Sequence, residues 1–168
     1  MAYQDQFRHA DEVIAHLSGL VVTVQDPLLK IKYIGFVSVA AITVYEMAIK
    51  CIFIDFATQK HKVLEAMTKS HFERINGRVK PSNIKDDYIP MFGQKYLDRY
   101  KKKLALSRAA YLLNNKRDFL NSYNNLITWR NDFAHEGRLT TTVTFEEVVQ
   151  AYRDGKEVIR CLADTMVR

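Results

Sequence analysis

The residues best suited to chemistry are Arg130 and His135, which stand five positions apart, with the amide of Asn131 next to the arginine. Arginine is a permanently charged donor fork that suits phosphate oxygens, and histidine can take and give a proton near neutral pH. These functions are sufficient to cleave RNA without a metal ion. A base removes the proton of a ribose 2′-hydroxyl, a cation stabilises the pentavalent phosphorus, and an acid protonates the departing 5′-oxygen. The product would be a 2′,3′-cyclic phosphate, and DNA, which lacks the attacking hydroxyl, would not react.

The spacing of the two residues limits how they can cooperate. On a regular helix they lie about 140° apart and about 7.5 Å along the axis, so they do not share a face. Either the helix ends near Ala134 and His135 turns back, or a second copy of the segment completes the site across a two-fold axis. We favour the second geometry, because an isologous dimer supplies separate base and acid roles. A simpler interpretation is that both cations only stabilise a helix C-terminus, by about 0.3–1 kcal/mol.

A basic segment precedes this motif. Residues 94–117 contain eight basic residues against the single acid Asp98, a local balance of +7, whereas the whole chain carries +6. Such a run is typical either of a solvated helix face or of a surface that binds phosphates. Trp129 could stack on a base, although a single tryptophan in a helical protein more commonly belongs to the core. The phosphate contacts that we predict are Lys95, Arg99, Lys101, Lys102 and Lys103.

Other reaction classes lack their motifs. The sequence has no phosphate-binding glycine loop, no Gly-x-Ser-x-Gly turn, no His-Glu-x-x-His and no Cys-x-x-Cys. His9 and His16 would fall on one helix face, but no third metal ligand is near them. We therefore expect neither a cofactor nor a bound metal ion.

The elements that must position these residues are helices. Only 6 Gly and 3 Pro occur in 168 residues, and 48% of the residues are apolar, which favours helices over the many turns of a β-sandwich. Apolar residues recur every three or four positions over 3–24, and Asp26-Pro27 ends this first helix. A long, central helix is predicted over about 28–58. A third over about 60–75 would end at Asn76-Gly77.

The second half of the chain carries the motif. Residues 78–93 hold two of the three prolines and predict a loop around a short helix capped by Ser82. A helix starting at about Arg117 carries Arg130 and His135 and ends at Gly137. Thr144 and Glu147 form a capping box before the last helix. The sequence therefore predicts an all-α bundle of four to five main helices in a single domain, residues 1–168.

The location of the protein is predicted from three further features. The uncharged run over 33–45 is 13 residues long, against about 20 for a bilayer span. The first residues lack the pattern of a signal peptide. Cys51 and Cys161 are 110 positions apart and are predicted to be free thiols. These features predict a cytoplasmic protein with no membrane contact.

The motif resembles the signature of the HEPN superfamily, and within it the RiboL-PSP-HEPN type. That signature is an arginine, a polar residue and then a histidine four to six positions after the arginine. It corresponds here to Arg130, Asn131 and His135, followed by Gly137.

The surrounding sequence is similar to the same type over about residues 3–166. The long second helix, with Glu46 and Lys50, resembles a family helix that often directs a polar residue at the active site. Residues 78–84, leading to 91–93, resemble the family's insert, and the run into 145–148 resembles the approach to its final helix. Motif and context together identify the chain as a HEPN-like domain.

The resemblance implies a four-to-five-helix bundle with a short helical insert, which homodimerises so that two motifs face a shared cleft. It implies a metal-independent endoribonuclease that acts on RNA as a toxin or in phage defence, beside a cognate antitoxin or other regulatory protein. Arg130 and His135 would be catalytic, with Asn131 orienting the histidine or contacting the phosphate. Glu46 and Lys50 would support the site. The alternative is a catalytically silent module of this fold that binds a partner protein, RNA or nucleotide in the same cleft.

Overall fold

The computed structural model describes residues 2–137 and 143–166, and within these ranges the ordered elements are helices. The all-α prediction is confirmed. Between α4 and α5 the chain forms a π-helical turn, Asn83–Tyr88, and a 3₁₀ turn, Ile89–Phe92. The α-helices are α1 (Ala2–Asp5), α2 (Arg8–Val21), α3 (Pro27–Thr58), α4 (Lys62–Glu73), α5 (Gln94–Asn115), α6 (Phe119–Glu136) and α7 (Phe145–Met166).

Helix α3 is the centre of the bundle and packs against α2, α4, α6 and α7. It begins where the sequence predicts, because Pro27 opens the helix and the Asp26 carboxylate accepts a hydrogen bond of 2.9 Å from the N–H of Leu28. By length and composition alone α3 is able to cross a membrane. The apolar part of this helix is therefore longer than the uncharged run over 33–45 on which the prediction is based. In the structure 61% of its most apolar window is buried, as expected for the core helix of a bundle.

A group of stacked tyrosines fixes α6 and α7 to α3. The Tyr45 ring lies parallel to the Tyr123 ring of α6 at 5.1 Å between centroids, and the Tyr45 hydroxyl donates to the carbonyl of Tyr152 in α7. All three side chains are buried. Toward the other end of α6, the Phe133 ring packs on Gly35 of α3. Helix α6 therefore runs antiparallel to α3, and its position is set by buried aromatic contacts.

The predicted first helix is divided into α1 and α2. The chain turns at Gln6 and Phe7, where the buried Phe7 ring makes an edge contact with the Tyr45 ring at 6.1 Å. The docking of this ring on the core explains the break in a continuous helical pattern.

The prediction that Ser82 caps a short helix is wrong. Its backbone is already helical and its side chain forms no capping hydrogen bond. The short helical insert itself is present, but the helical conformation begins at Pro81, whose fixed φ suits the first turn of a helix.

The basic segment forms a complete helix, α5, which packs against α7. Near its start, Arg99 Nη1 donates to the carbonyl of Thr165 at 3.3 Å, and near its end the Tyr111 hydroxyl donates to Asp154 at 2.7 Å. Helices α5 and α7 are thus antiparallel. Lys116 ends α5 in the left-handed conformation, with a φ of 57°.

Candidate active site

Helix α6 carries Arg130, Asn131 and His135. It starts at Asp118, whose carboxylate accepts from the N–H of Leu120 at 3.1 Å. It ends at Gly137, which has a φ of 67° and donates its N–H to the carbonyl of Phe133 at 3.0 Å. Because the helix continues through Glu136, His135 is helical and does not turn back toward Arg130. The structure therefore excludes the predicted geometry in which the helix ends near Ala134 and His135 turns back.

Arg130 is partly buried and held from two sides. Its Nη1 donates to Asn131 Oδ1 at 3.0 Å. Its guanidinium lies against Gly77, where an added Cβ would be 3.4 Å from Nη2 and 3.7 Å from Nη1. Gly77 has a φ of 70°, a conformation that glycine adopts without steric penalty. The sequence indicated Gly77 only as the end of a helix, so its contact with the candidate catalytic arginine was missed.

Glu46 joins this arrangement through the same glycine. Its Oε2 accepts from the N–H of Gly77 at 2.7 Å, and its Oε1 accepts from Lys50 Nζ at 2.8 Å. The Glu46 and Lys50 side chains are 20% and 24% exposed, respectively. The structure thus brings four sequence-predicted residues together around a glycine. We call Glu46, Lys50, Gly77, Arg130 and Asn131 the Arg130 cluster.

His135 lies apart from the Arg130 cluster and is exposed. No hydrogen bond or ion pair of its side chain is present in the described part of the chain. Two residues before it, the Phe133 ring makes an edge contact with Phe36 at 5.5 Å and fills the space beside Gly35. The packing of these rings fixes the position of the end of α6, and with it the position of the exposed His135 imidazole.

The predicted phosphate contacts of α5 lie far from the Arg130 cluster. Glu46 of this cluster follows Tyr45, whose hydroxyl donates to the carbonyl of Tyr152 in α7, whereas Lys103 pairs with Asp164 near the end of α7 at 2.8 Å. Twelve residues of α-helix separate these two levels by about 18 Å. Lys95, Lys101 and Lys102 are exposed on the same half of α5, and Arg99 is partly buried against α7. Within one subunit the structure does not bring these cations to Arg130.

A second polar centre, which the sequence did not indicate, lies between α5, α6 and α7. Asp154 is fully buried and accepts hydrogen bonds from Tyr111, Arg117, Ser122 and Gln150. Burial alone would raise the pKa of the Asp154 carboxyl, but these donors, Arg117 first among them, outweigh burial and hold the pKa below its usual range.

Asp154 lines a groove of about 490 Å³ together with Trp129. Trp129 is only partly buried, with part of its side chain packed on the core.

No metal site is apparent among residues 2–137 and 143–166, where no group of three or more His, Cys, Asp and Glu side chains could hold an ion. His9 and His16 line one shallow groove between α2 and α3. Cys51 and Cys161 are both free, and burial raises the pKa of the Cys51 thiol to about 11.

An all-helical bundle with an Arg-Asn pair and a histidine on one helix defines a HEPN-type domain. Residues 5–168 match the family model described as RiboL-PSP-HEPN, and the chain belongs to this family. Searches of curated proteins and of solved structures gave no significant match. Membership indicates a ribonuclease-like or nucleotide-binding module.

Proposed function

We propose that the protein is a metal-independent endoribonuclease whose active site is completed by a second copy of the chain. The observation that carries this proposal is the arrangement on α6. Arg130 is held by Asn131 and Gly77, and His135 is exposed farther along the same unbroken helix. At about 140° around the helix axis, the two side chains of one chain do not face the same phosphate.

The proposed chemistry divides the roles between these residues. Arg130 stabilises the charge of the pentavalent phosphorus, and its contacts with Asn131 and Gly77 orient the cation before the reaction. His135 acts as general base or general acid, and the histidine of the second copy supplies the complementary role. Attack by the 2′-hydroxyl breaks the bond to the 5′-oxygen and leaves a 2′,3′-cyclic phosphate.

An exposed apolar face of α3 supports self-association beside this site. Phe36 is 50% exposed and Met47 is 47% exposed, and Thr43 lies between them on the same side of the helix. The Phe36 ring contacts Phe133, three residues after Arg130. Two copies that bury this face would bring both α6 ends to a common cleft.

The test is cleavage of total RNA by the pure protein in EDTA. We expect the wild-type protein to cleave RNA, and Arg130→Ala and His135→Ala each to abolish cleavage. His16→Ala is the matched control, because this exposed histidine lies on α2. Absence of cleavage by the wild type would favour the silent module that binds RNA, nucleotide or protein. Equal cleavage by all four proteins would show that the activity does not depend on Arg130 and His135, and either result contradicts the proposal.

Adding the inactive His135→Ala variant to the wild type tests the shared site. A mixed dimer has only one of the two histidines that a composite site needs, so it is inactive, whereas a site within one chain stays active on the wild-type subunit. After random exchange with an equal amount of variant, half of the wild-type subunits are in mixed dimers, so a composite site predicts about half of the original activity. Activity that is unchanged after exchange would contradict the composite site.

The proposal extends to a role as a toxin or a phage-defence effector controlled by an antitoxin or regulatory partner. An endoribonuclease with a broad RNA substrate would stop the growth of cells that express it. We therefore expect induction of the wild type, but not of Arg130→Ala at equal protein level, to arrest growth. Normal growth with active enzyme would contradict the toxin role.

A further inference from the structure

A basic chain segment lies directly beside the Arg130 cluster. Residues 74–80 join the end of α4 to the helical insert, and we call them the basic loop. The cationic side chains of this segment are exposed: they are Arg74, Arg78 and Lys80.

Three side chains from different elements hold the backbone of the basic loop. Glu46 of α3 accepts from the N–H of Gly77 at 2.7 Å. The Tyr88 hydroxyl of the π-helical turn donates to the carbonyl of Arg78 at 2.7 Å. The Tyr123 hydroxyl of α6 donates to the carbonyl of Val79 at 2.8 Å. The loop is therefore a fixed support rather than a loose connection.

The loop directs its charges to solvent. Val79 is 1% exposed and anchors the segment in the core. The chain is not helical here, so the side chains on either side of Val79 point away from the core. These neighbours are Arg78 and Lys80, and both are exposed. The Arg78 side chain is 67% exposed and approaches Asp87 only at 3.6 Å, a surface pair that contributes little stability. Arg74 and Arg78 line one groove of about 720 Å³.

The loop is adjacent to the candidate catalytic arginine. Gly77 lies beside the Arg130 guanidinium, whose Nη2 would be 3.4 Å from a Cβ added to the glycine. The Cα of Arg78 is about 3.8 Å from that of Gly77, and the Cα atoms of Arg74 and Lys80 are within about 11 Å of it. Lys103 of α5, by contrast, pairs with Asp164, about 18 Å along α7 from the level of Glu46. Proximity in space therefore favours the loop over the segment that sequence proximity indicated.

We propose that the basic loop binds the RNA phosphates next to the one held by Arg130. It is the phosphate-binding surface that serves this site within the same subunit. This inference rests on the proposed function in taking RNA as the substrate. The fixed backbone places Arg74, Arg78 and Lys80 so that their charges need little reorganisation when RNA binds.

The experiment compares two triple variants of equal charge change. R74Q/R78Q/K80Q neutralises the loop, and K95Q/K101Q/K102Q neutralises three exposed lysines of α5. Each lowers the net charge by three, so long-range attraction falls equally in both. The probe is a single-stranded 2′-O-methyl RNA oligonucleotide, which lacks the attacking hydroxyl and is measured at several salt concentrations.

We expect the loop variant to bind the oligonucleotide more weakly than the wild type does. The slope of its log affinity against log salt should be smaller in magnitude by about 0.7 per lost contact, about 2 in all. The α5 variant should keep the wild-type slope. R74K/R78K/K80R retains the charges and should restore the slope. Circular dichroism melts of each variant should match the wild type, since all the substituted side chains are at the surface.

An unchanged slope in the loop variant overturns the inference, as does a slope in the α5 variant that falls by as much or more. If the groove lined by Arg74 and Arg78 bound an acidic protein instead of RNA, the slope of the loop variant would be unchanged. The measurement does not depend on cleavage. If Arg130→Ala did not affect cleavage, the proposed nuclease mechanism would be contradicted. A reduced slope of log affinity against log salt in the loop variant would still establish the loop as an RNA-binding surface.

Discussion

The guanidinium of Arg130 lies on Gly77, so that an added Cβ on the glycine would be 3.4 Å from Nη2. The two residues are 53 positions apart, and Glu46 accepts a hydrogen bond of 2.7 Å from the N–H of the same glycine. The position of the candidate catalytic cation therefore depends on a loop backbone that is itself tied to α3.

Gly77→Ala should impair both folding and cleavage. An alanine with a φ near 70° is disfavoured by about 1–2 kcal/mol. The added methyl would meet Arg130 at an ordinary contact distance of 3.4 Å, so the displacement of the guanidinium comes from relaxation of the strained loop backbone that supports it. Because a misplacement of about 1 Å can lower a rate about 100-fold, we expect cleavage to fall at least about tenfold. Chemical denaturation and RNA cleavage measure the two effects.

Gly93→Ala separates these effects. Gly93 has a φ of 109°, and an added Cβ meets no atom within 4 Å. The backbone penalty is at least as large, because this region of conformation is almost restricted to glycine. The folded fraction of Gly93→Ala should cleave RNA at the wild-type rate. Equal loss of specific activity in both variants would show that Arg130 does not depend on Gly77.

Glu46→Ala should lower cleavage about tenfold or more. It removes the acceptor that holds Gly77 and the partner of Lys50, and so loosens the support of Arg130. The control is Glu65→Ala, which removes the similar ion pair with Lys69 in α4 but touches no member of the Arg130 cluster. A Glu46→Ala enzyme with full activity would rule out a positioning role for this carboxylate.

Local signals account for the parts of the fold that could be predicted. The helix stop at Gly137 and the start of α3 at Asp26-Pro27 need only one or two residues to define them. The capping box is also present, with Thr144 N–H donating to Glu147 at 2.7 Å and Glu147 N–H donating to the Thr144 hydroxyl at 3.2 Å. Each of these features acts within one helical turn, so a single sequence is enough to recognise it.

The features that could not be predicted depend on how the helices are arranged. Asp154 accepts hydrogen bonds from Tyr111 of α5, Ser122 of α6 and Gln150 of α7. In the sequence it is only a single acidic residue within a helix, with no sign of these partners. Lys103 is near Arg130 in the sequence, but α5 runs antiparallel to α7 and carries it to Asp164. Helical periodicity assigns the face of a residue but does not assign the direction of its helix in the bundle.

Gly35→Ala should displace the end of α6. An added Cβ would lie 2.1 Å from the Phe133 ring, so the ring and the α6 segment that carries His135 have to move. Overpacking of this kind costs about 1–3 kcal/mol. Gly19→Ala is the contrasting helical glycine, because nothing lies within 4 Å of its added Cβ, and it should stabilise the protein by about 0.5–1 kcal/mol. Thermal melts that shift alike in both variants would contradict the packing argument.

Met47→Glu should weaken self-association. It places a charge at one end of the exposed apolar face of α3, where two such carboxylates would have to be buried in a dimer. Leu113→Glu is the control, because Leu113 is 70% exposed on α5, away from the proposed interface. Sedimentation velocity should show Met47→Glu as a monomer and Leu113→Glu with the wild-type mass. A wild-type protein that is monomeric at all concentrations would contradict the dimer itself.

Asp154→Asn should reduce stability in a manner that depends on pH. At pH 7 we expect a loss of about 2–4 kcal/mol, because the buried ion pair and its charged hydrogen bonds are removed. The pKa of Asp154 is lower in the folded protein than its ordinary value of 3.8. Its contribution is therefore complete above the pKa of the unfolded chain, about 3.9, and disappears as the pH falls through the folded pKa.

Urea denaturation from pH 7 to pH 2 tests this expectation for Asp154. The difference in unfolding free energy between wild type and Asp154→Asn should stay constant down to about pH 5 and shrink below about pH 4. Asp164→Asn is the matched control, since the Lys103–Asp164 pair has side chains 37% and 35% exposed and should contribute only about 0–1 kcal/mol. A difference that persists unchanged at pH 2 would mean that packing, and not the charge of Asp154, holds α5, α6 and α7 together.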